Sequence, residues 1–183
     1  MASMFCFVAF LSLSISVCAA QAPWNASQSL TTACNQTPSP DLCIKHLLKF
    51  NESLTADIHL LTGLMVRAAA QYATETAEKV FGEQHGALSA DPVYETCLHD
   101  CSESVEDAIQ QLDDTTKAVD MRAFKDVEDW VGAAVADAST CNESCKGANG
   151  EPQIKQLSDM TAEFAELCKV ILALSKLDAQ GQH

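Results

Sequence analysis

Residues 97–101 read Cys-Leu-His-Asp-Cys and residues 141–145 read Cys-Asn-Glu-Ser-Cys. A spacing of four places both cysteines of each pair on one face of a helix, about 6 Å apart along its axis. In two antiparallel helices, facing positions have sequence numbers with a constant midpoint. The pairings Cys101 with Cys141 and Cys97 with Cys145 share one, Met121. The apolar spacing marks the same reversal independently. One stripe runs Cys97, Cys101, Val105, Ala108, Leu112, Thr115 and Val119, and the next runs Phe124, Val127, Val131, Ala134, Ala138, Cys141 and Cys145. Both follow steps of three and four, with a turn over Asp120 to Arg122 and Asp120 as N-cap of the second helix. The expectation is a helical hairpin closed by two adjacent disulfides, the inner one contributing about 4 kcal/mol by loop-entropy reasoning. Two facing C-x-x-x-C pairs are also a four-thiolate zinc pattern, and cross-paired bridges are a further alternative.

Outward from this hairpin, two more helices are predicted. Leu54, Ile58, Leu61, Met65, Ala68, Tyr72 and Thr76 form one stripe that stops near Gly82 to Gly86, and the hairpin then begins at Pro92. Behind Pro152, Leu157, Met160, Phe164, Leu167, Ile171 and Leu174 form another, with Cys168 beside it and Gly181 past its end. Before them, Cys34 and Cys43 flank a loop with two prolines, and Ser39-Pro40 opens a short helix, so a bridge between them would staple a helical hairpin. Four amphipathic helices can bury their stripes only against one another. The predicted fold is all-α: an antiparallel up-down-up-down four-helix bundle over 53–178, preceded by a short helical hairpin over 28–50.

Composition agrees. The chain has 183 residues, 48% of them hydrophobic, with 7 Gly and 5 Pro, too few turn formers for a sandwich of short strands. Eleven Lys and Arg against 25 Asp and Glu give a net charge of −14, which argues against nucleic acid and acidic polysaccharide as ligands and favours a cationic protein surface.

Residues 1–20 contain no charged side chain and an apolar run from Met4 to Val17, with Cys18 and Ala20 as small residues before a cleavage point. This pattern reads as a secretory signal peptide, too short for a membrane span, so no membrane association is expected after cleavage. Its removal takes Cys6 and Cys18 and leaves seven cysteines in an oxidising compartment, where disulfides are favoured over zinc. Three bridges and one free thiol, Cys168, account for them. Sequons at Asn25, Asn35, Asn51 and Asn142 are glycosylation candidates.

Nothing marks catalysis. No His follows a Glu by three residues, as di-iron bundles require, and H-E-x-x-H, G-x-S-x-G and phosphate-cradling glycine loops are absent. The acids Glu103, Glu106, Asp107, Asp113 and Asp114 read as a solvated face, and Cys168 as a buried, inert thiol. No cofactor, no metal and no catalytic residue is expected.

The Cys34–Cys43 hairpin, CSESVEDAI at 101–109, AAVADASTC at 133–141 and ELCKVILALSKL at 166–177 together make the chain, over 21–183, resemble the plant invertase and pectin methylesterase inhibitor family. That resemblance implies a four-helix bundle with an N-terminal hairpin, bridges at Cys34–Cys43 and Cys101–Cys141, a free cysteine at Cys168, and a secreted, non-catalytic inhibitor that complexes one enzyme. The chain departs from the family at Val105 and Cys145, where aromatics are common, and at the additional Cys97. A Cys97–Cys145 bridge accounts for the last two. Family invertase inhibitors tend to carry Pro-Lys-Phe where this chain has Arg122-Ala123-Phe124. Cell-wall pectin methylesterases are often basic. The expected partner is therefore a pectin methylesterase in a 1:1 complex in the apoplast, with an acid invertase as the alternative. A non-inhibitory, disulfide-rich helical binding or chaperone protein is the reading from another class.

Overall fold

The computed structural model describes residues 26–86, 92–148 and 152–181. The leader expected at 1–20 and the sequon at Asn25 lie outside these residues. Among the described residues the structure is helical, without strands: α1 (Ala26–Cys34), α2 (Pro40–Leu47), α3 (Ile58–Gly86), α4 (Pro92–Asp120), α5 (Phe124–Ser144) and α6 (Pro152–Gln180), with a 3-10 turn at Asn51–Leu54. Helices α2, α4 and α6 each open on a proline, whose fixed φ and missing N–H suit the first helical position. Of the long helices, α3 and α5 each pack on both α4 and α6, while α1 and α2 lie against α3 and α6.

Two ends of this assembly differ. At one, the end of α3 meets the start of α4, where Gln84 Nε2 donates to the Leu98 carbonyl at 3.0 Å. Here Val80, Tyr94, Cys97, Leu98, Cys101, Cys141, Cys145, Ala148 and Leu157 form a small core of their own. The main core fills the rest and reaches the opposite end, where the start of α3 meets the end of α6. All seven stripe positions read on α4 are buried, as are Val127, Val131, Ala134, Ala138, Cys141 and Cys145 on the next stripe.

Two local expectations need correction, and the start of α2 holds with a different side-chain bond. Leu54 is not on the α3 stripe; it sits 49% exposed in the 3-10 turn, and α3 starts four residues later, where the Asp57 carboxylate accepts the Leu60 N–H at 2.8 Å. Asp120 does not cap α5. Instead α4 runs through Asp120, and Ala123 occupies the N-cap position. The turn is a Schellman motif, in which Arg122 N–H bonds Val119 O at 2.8 Å, Ala123 N–H bonds Ala118 O at 2.9 Å, and Arg122 takes φ 55°. Ser39 does sit at the N-cap of α2, yet its hydroxyl makes no cap bond; it donates to Glu166 Oε2 at 2.9 Å, tying the hairpin to α6.

Candidate functional site

The α4–α5 hairpin carries two of the three disulfides among the described residues. Cys97 is bonded to Cys145 and Cys101 to Cys141, with Cα separations of 4.6 and 4.2 Å. A third bridge joins Cys34 to Cys43 with a Cα separation of 5.5 Å, and Cys168 is free and fully buried. Burial pushes the Cys168 thiol up to about 12, which leaves it without thiolate character at neutral pH.

At the other end of the hairpin, the Arg122 guanidinium donates from Nη1 to Asp178 Oδ1 at 2.9 Å, and His59 Nδ1 lies 2.7 Å from Asp178 Oδ2. The α4–α5 turn, the start of α3 and the end of α6 thus meet at one carboxylate that is 3% exposed. Both ends of the hairpin are fastened, one covalently and one by charge.

Between these ends the outward face is acidic. Helices α4 and α5 carry thirteen Asp and Glu against two Lys, whereas α3 and α6 carry seven against five Lys and Arg. Ten of the thirteen are exposed, and Asp100, Asp114 and Asp137 are half-buried. Asp137, between the two helices, is held above the ordinary carboxylate range by burial, and Asp107 adds to the rise against an opposing hydrogen bond from Gln111. Burying one carboxylate among others disfavours its charge, as expected on a face of one sign.

Three large apolar side chains on the hairpin are exposed: Val93 at the start of α4, 45%, Met121 at the turn, 70%, and Trp130 among the acids of α5, 41%. Exposed aromatics rimmed by polar groups are the usual anchors of protein interfaces. Trp130 has Asp126 and Asp129 within a turn on its own helix. The sequence reading passed over it, although the signal was present: an indole at position 130 falls outside the Phe124, Val127, Val131, Ala134 stripe and so cannot share its burial.

A second constellation holds the N-terminal hairpin. Glu163 Oε1 on α6 accepts from Lys45 Nζ at 2.7 Å and from His46 Nε2 at 3.2 Å. The His46 ring is 1% exposed, stands edge-on to Tyr72 with centroids 5.8 Å apart, and leaves Nδ1 buried without a partner. That arrangement holds a neutral imidazole with its proton on Nε2. Burial lowers the His46 pKa despite the bond to Glu163. For Glu163 burial acts upward, but the bonds from Lys45 and His46 outweigh it and the carboxyl lies below its usual range. Among the sequons, Asn35 and Asn51 are exposed on the N-terminal segment and Asn142 is half-buried on α5 beside the bridges.

Residues 28–174 match the family described as plant invertase/pectin methylesterase inhibitor. The chain belongs to that family. Among curated relatives it is 25% identical over 148 residues to a pectinesterase inhibitor from Actinidia deliciosa, covering 81% of this chain and 78% of that one. It is 28% identical over 127 residues to pectinesterase 1 of Arabidopsis thaliana, of which it spans 21%. The crystal structure of a mutant form of a pectin methylesterase inhibitor from Arabidopsis superposes with a TM-score of 0.68 at 22% identity, covering 81% of this chain and 96% of that one. Membership makes the chain an inhibitor of pectin methylesterase or invertase rather than an enzyme, with a protein as its partner. Its fold is the all-helical one expected from the stripes. No helix among the described residues is long and apolar enough to cross a membrane.

Proposed function

We propose that the chain is secreted after loss of residues 1–20 and blocks a pectin methylesterase in the cell wall, laying the α4–α5 face over the enzyme's substrate cleft in a 1:1 complex. The observation that carries this reading is the concentration of acid on that hairpin, thirteen carboxylates against two lysines. A surface of that sign complements a basic enzyme and accelerates its encounter. The relatives described as pectinesterase inhibitors support the same target. On the α4–α5 turn, Arg122 is committed to Asp178 and the neighbouring exposed side chain is Met121, an arrangement without the Pro-Lys-Phe element of invertase inhibitors.

The test is a titration of the oxidised mature protein into a basic pectin methylesterase and, in parallel, an acid invertase, at mildly acidic pH and two salt concentrations. Esterase inhibition that weakens with salt supports the proposal. Inhibition of invertase alone overturns the target, and esterase inhibition indifferent to salt overturns the electrostatic account.

A further inference from the structure

At the end of the bundle opposite the α4–α5 bridges, the end of α1, the start of α3, the end of α6 and the α4–α5 turn enclose a cleft. It consists of two adjoining cavities of about 360 and 350 Å³ that share Asp57, Ile58 and Gly181 as walls. Together they reach the size of a small-molecule site. One half is apolar, lined by Ala33, Ile58 and Leu177. The other is polar, lined by His59, Arg122 and Asp178 besides Asp57. Its charges do not balance. Arg122 is spent on Asp178, whose second oxygen lies 2.7 Å from His59 Nδ1, whereas Asp57 enters no ion pair among the described residues. The Asp57 carboxylate gives Oδ1 to the Leu60 N–H at 2.8 Å, so Oδ2 is left over.

Further acceptors flank Asp57. Holding His59 Nδ1 at Asp178 leaves Nε2 as the ring's second polar atom, which carries a lone pair in the neutral imidazole. On the apolar side, Gln36 donates its Nε2 to the Thr32 carbonyl at 3.3 Å, which leaves Oε1 as an acceptor. Both α1 and α6 end at this cleft, and a helix C-terminus carries partial negative charge; the positive end of α3 is taken up by its Asp57 cap. We propose that the cleft binds a small primary ammonium with an apolar body, its charge on Asp57 and its body against Ala33, Ile58 and Leu177. An anion would face Asp57 and two helix C-termini in a chain of net charge −14, and a wholly apolar ligand would leave the polar half unused. Binding needs no enzyme partner, so the proposal stands apart from the inhibitory reading.

The experiment titrates phenethylamine, phenethyl alcohol and hydrocinnamate into the full mature, oxidised protein at neutral pH, followed by methyl NMR; the three probes share a phenyl body and differ in the charge of the head. The expected result is one phenethylamine per chain, bound about tenfold or more tighter than the other two, with its ring giving nuclear Overhauser contacts to the methyl groups of Ala33, Ile58 and Leu177. Asp57→Asn keeps the α3 cap, since Asn serves an N-cap as well as Asp does. It is expected to lower the affinity for the amine about tenfold and to leave that for the alcohol unchanged. Glu103→Gln, on the acidic α4–α5 face, is expected to change neither, which separates the cleft from general attraction of a cation to an acidic chain. Should the Asp57 variant lose helicity, the ring contacts and the amine-to-alcohol ratio of the parent decide alone. An amine bound no tighter than the alcohol, ring contacts elsewhere on the protein, or discrimination that survives Asp57→Asn overturns the proposal.

Discussion

Arg122 reaches Asp178 from a backbone conformation that non-glycine residues seldom adopt: φ is 55° at Arg122, and its Nη1 lies 2.9 Å from Asp178 Oδ1. Glycine is the usual residue at this position of a Schellman turn, and an L side chain there costs about 1 kcal/mol. The Arg122 guanidinium offsets that cost by pairing with a carboxylate buried at the end of α6, which also lies 2.7 Å from His59 Nδ1. Arg122→Gly exchanges relief of strain for loss of the ion pair and is expected to lie within about 1 kcal/mol of the parent, whereas Arg122→Ala keeps the strain and falls about 1 kcal/mol lower. Asp178→Asn, which leaves both partners facing a neutral amide, should cost about 2–4 kcal/mol. Urea denaturation of the three variants checks the ranking; Ala equal to Gly would refute the strain argument.

Stability should fall on acidification in two steps. His46 has its pKa lowered in the fold, so between 6.5 and that lower value the unfolded chain binds the proton first, and stability declines as pH falls through the interval. Glu163 is also lowered, so a second loss begins near 4.5 and continues down to its folded value. Both groups join α2 to α6, so hydrogen exchange in α2 should quicken before the bundle melts. Thermal scans from pH 7 to about pH 3 provide the measurement, and Glu163→Gln should remove the lower step.

Val105 borders a void of about 10 Å³ with Ala73, Thr76, Ala108, Ala138, Thr161 and Phe164. Room for about one water, bounded mainly by apolar groups, is space a larger side chain can fill. Val105→Ile should stabilise by up to about 0.8 kcal/mol through one added methylene. A lower midpoint in denaturant would show that the void cannot admit it.

Trp130→Ala should weaken inhibition of a sensitive esterase by tenfold or more with little change in melting temperature, since the indole is 41% exposed and lies off the buried stripe. Charge reversal at Glu103 and Asp107 should act differently, slowing association and flattening its salt dependence. Stopped-flow inhibition kinetics separate the two effects.

Glycans are expected at Asn35 and Asn51, both exposed, with Asn142 left bare because it is half-buried beside Cys141 on α5. Neither expected site is on the α4–α5 hairpin, so Asn35→Gln and Asn51→Gln should leave inhibition unchanged. Glycopeptide mapping with activity assays tests both statements.

The helices and their register were legible in the sequence because the information is local and periodic. Pro40, Pro92 and Pro152 start helices wherever they stand, apolar spacing declares the buried face, and two cysteine pairs sharing Met121 as midpoint specify how α4 and α5 face one another. What depended on tertiary structure were the choices between equally good local partners. Ser39 has an unused cap to satisfy and bonds Glu166 on α6 instead; Asp120 looks like a cap, but α4 runs through it into a Schellman turn at Arg122, whose guanidinium pairs with Asp178. Each competing bond differs by about 1 kcal/mol, an amount no local pattern encodes and one contact 56 or 127 residues away reverses. The exposure of Trp130 and the contact between Cys101 and Cys145 sulfurs belong to the same class: residue type and spacing allowed them, and only the packing of one helix on the next determined them.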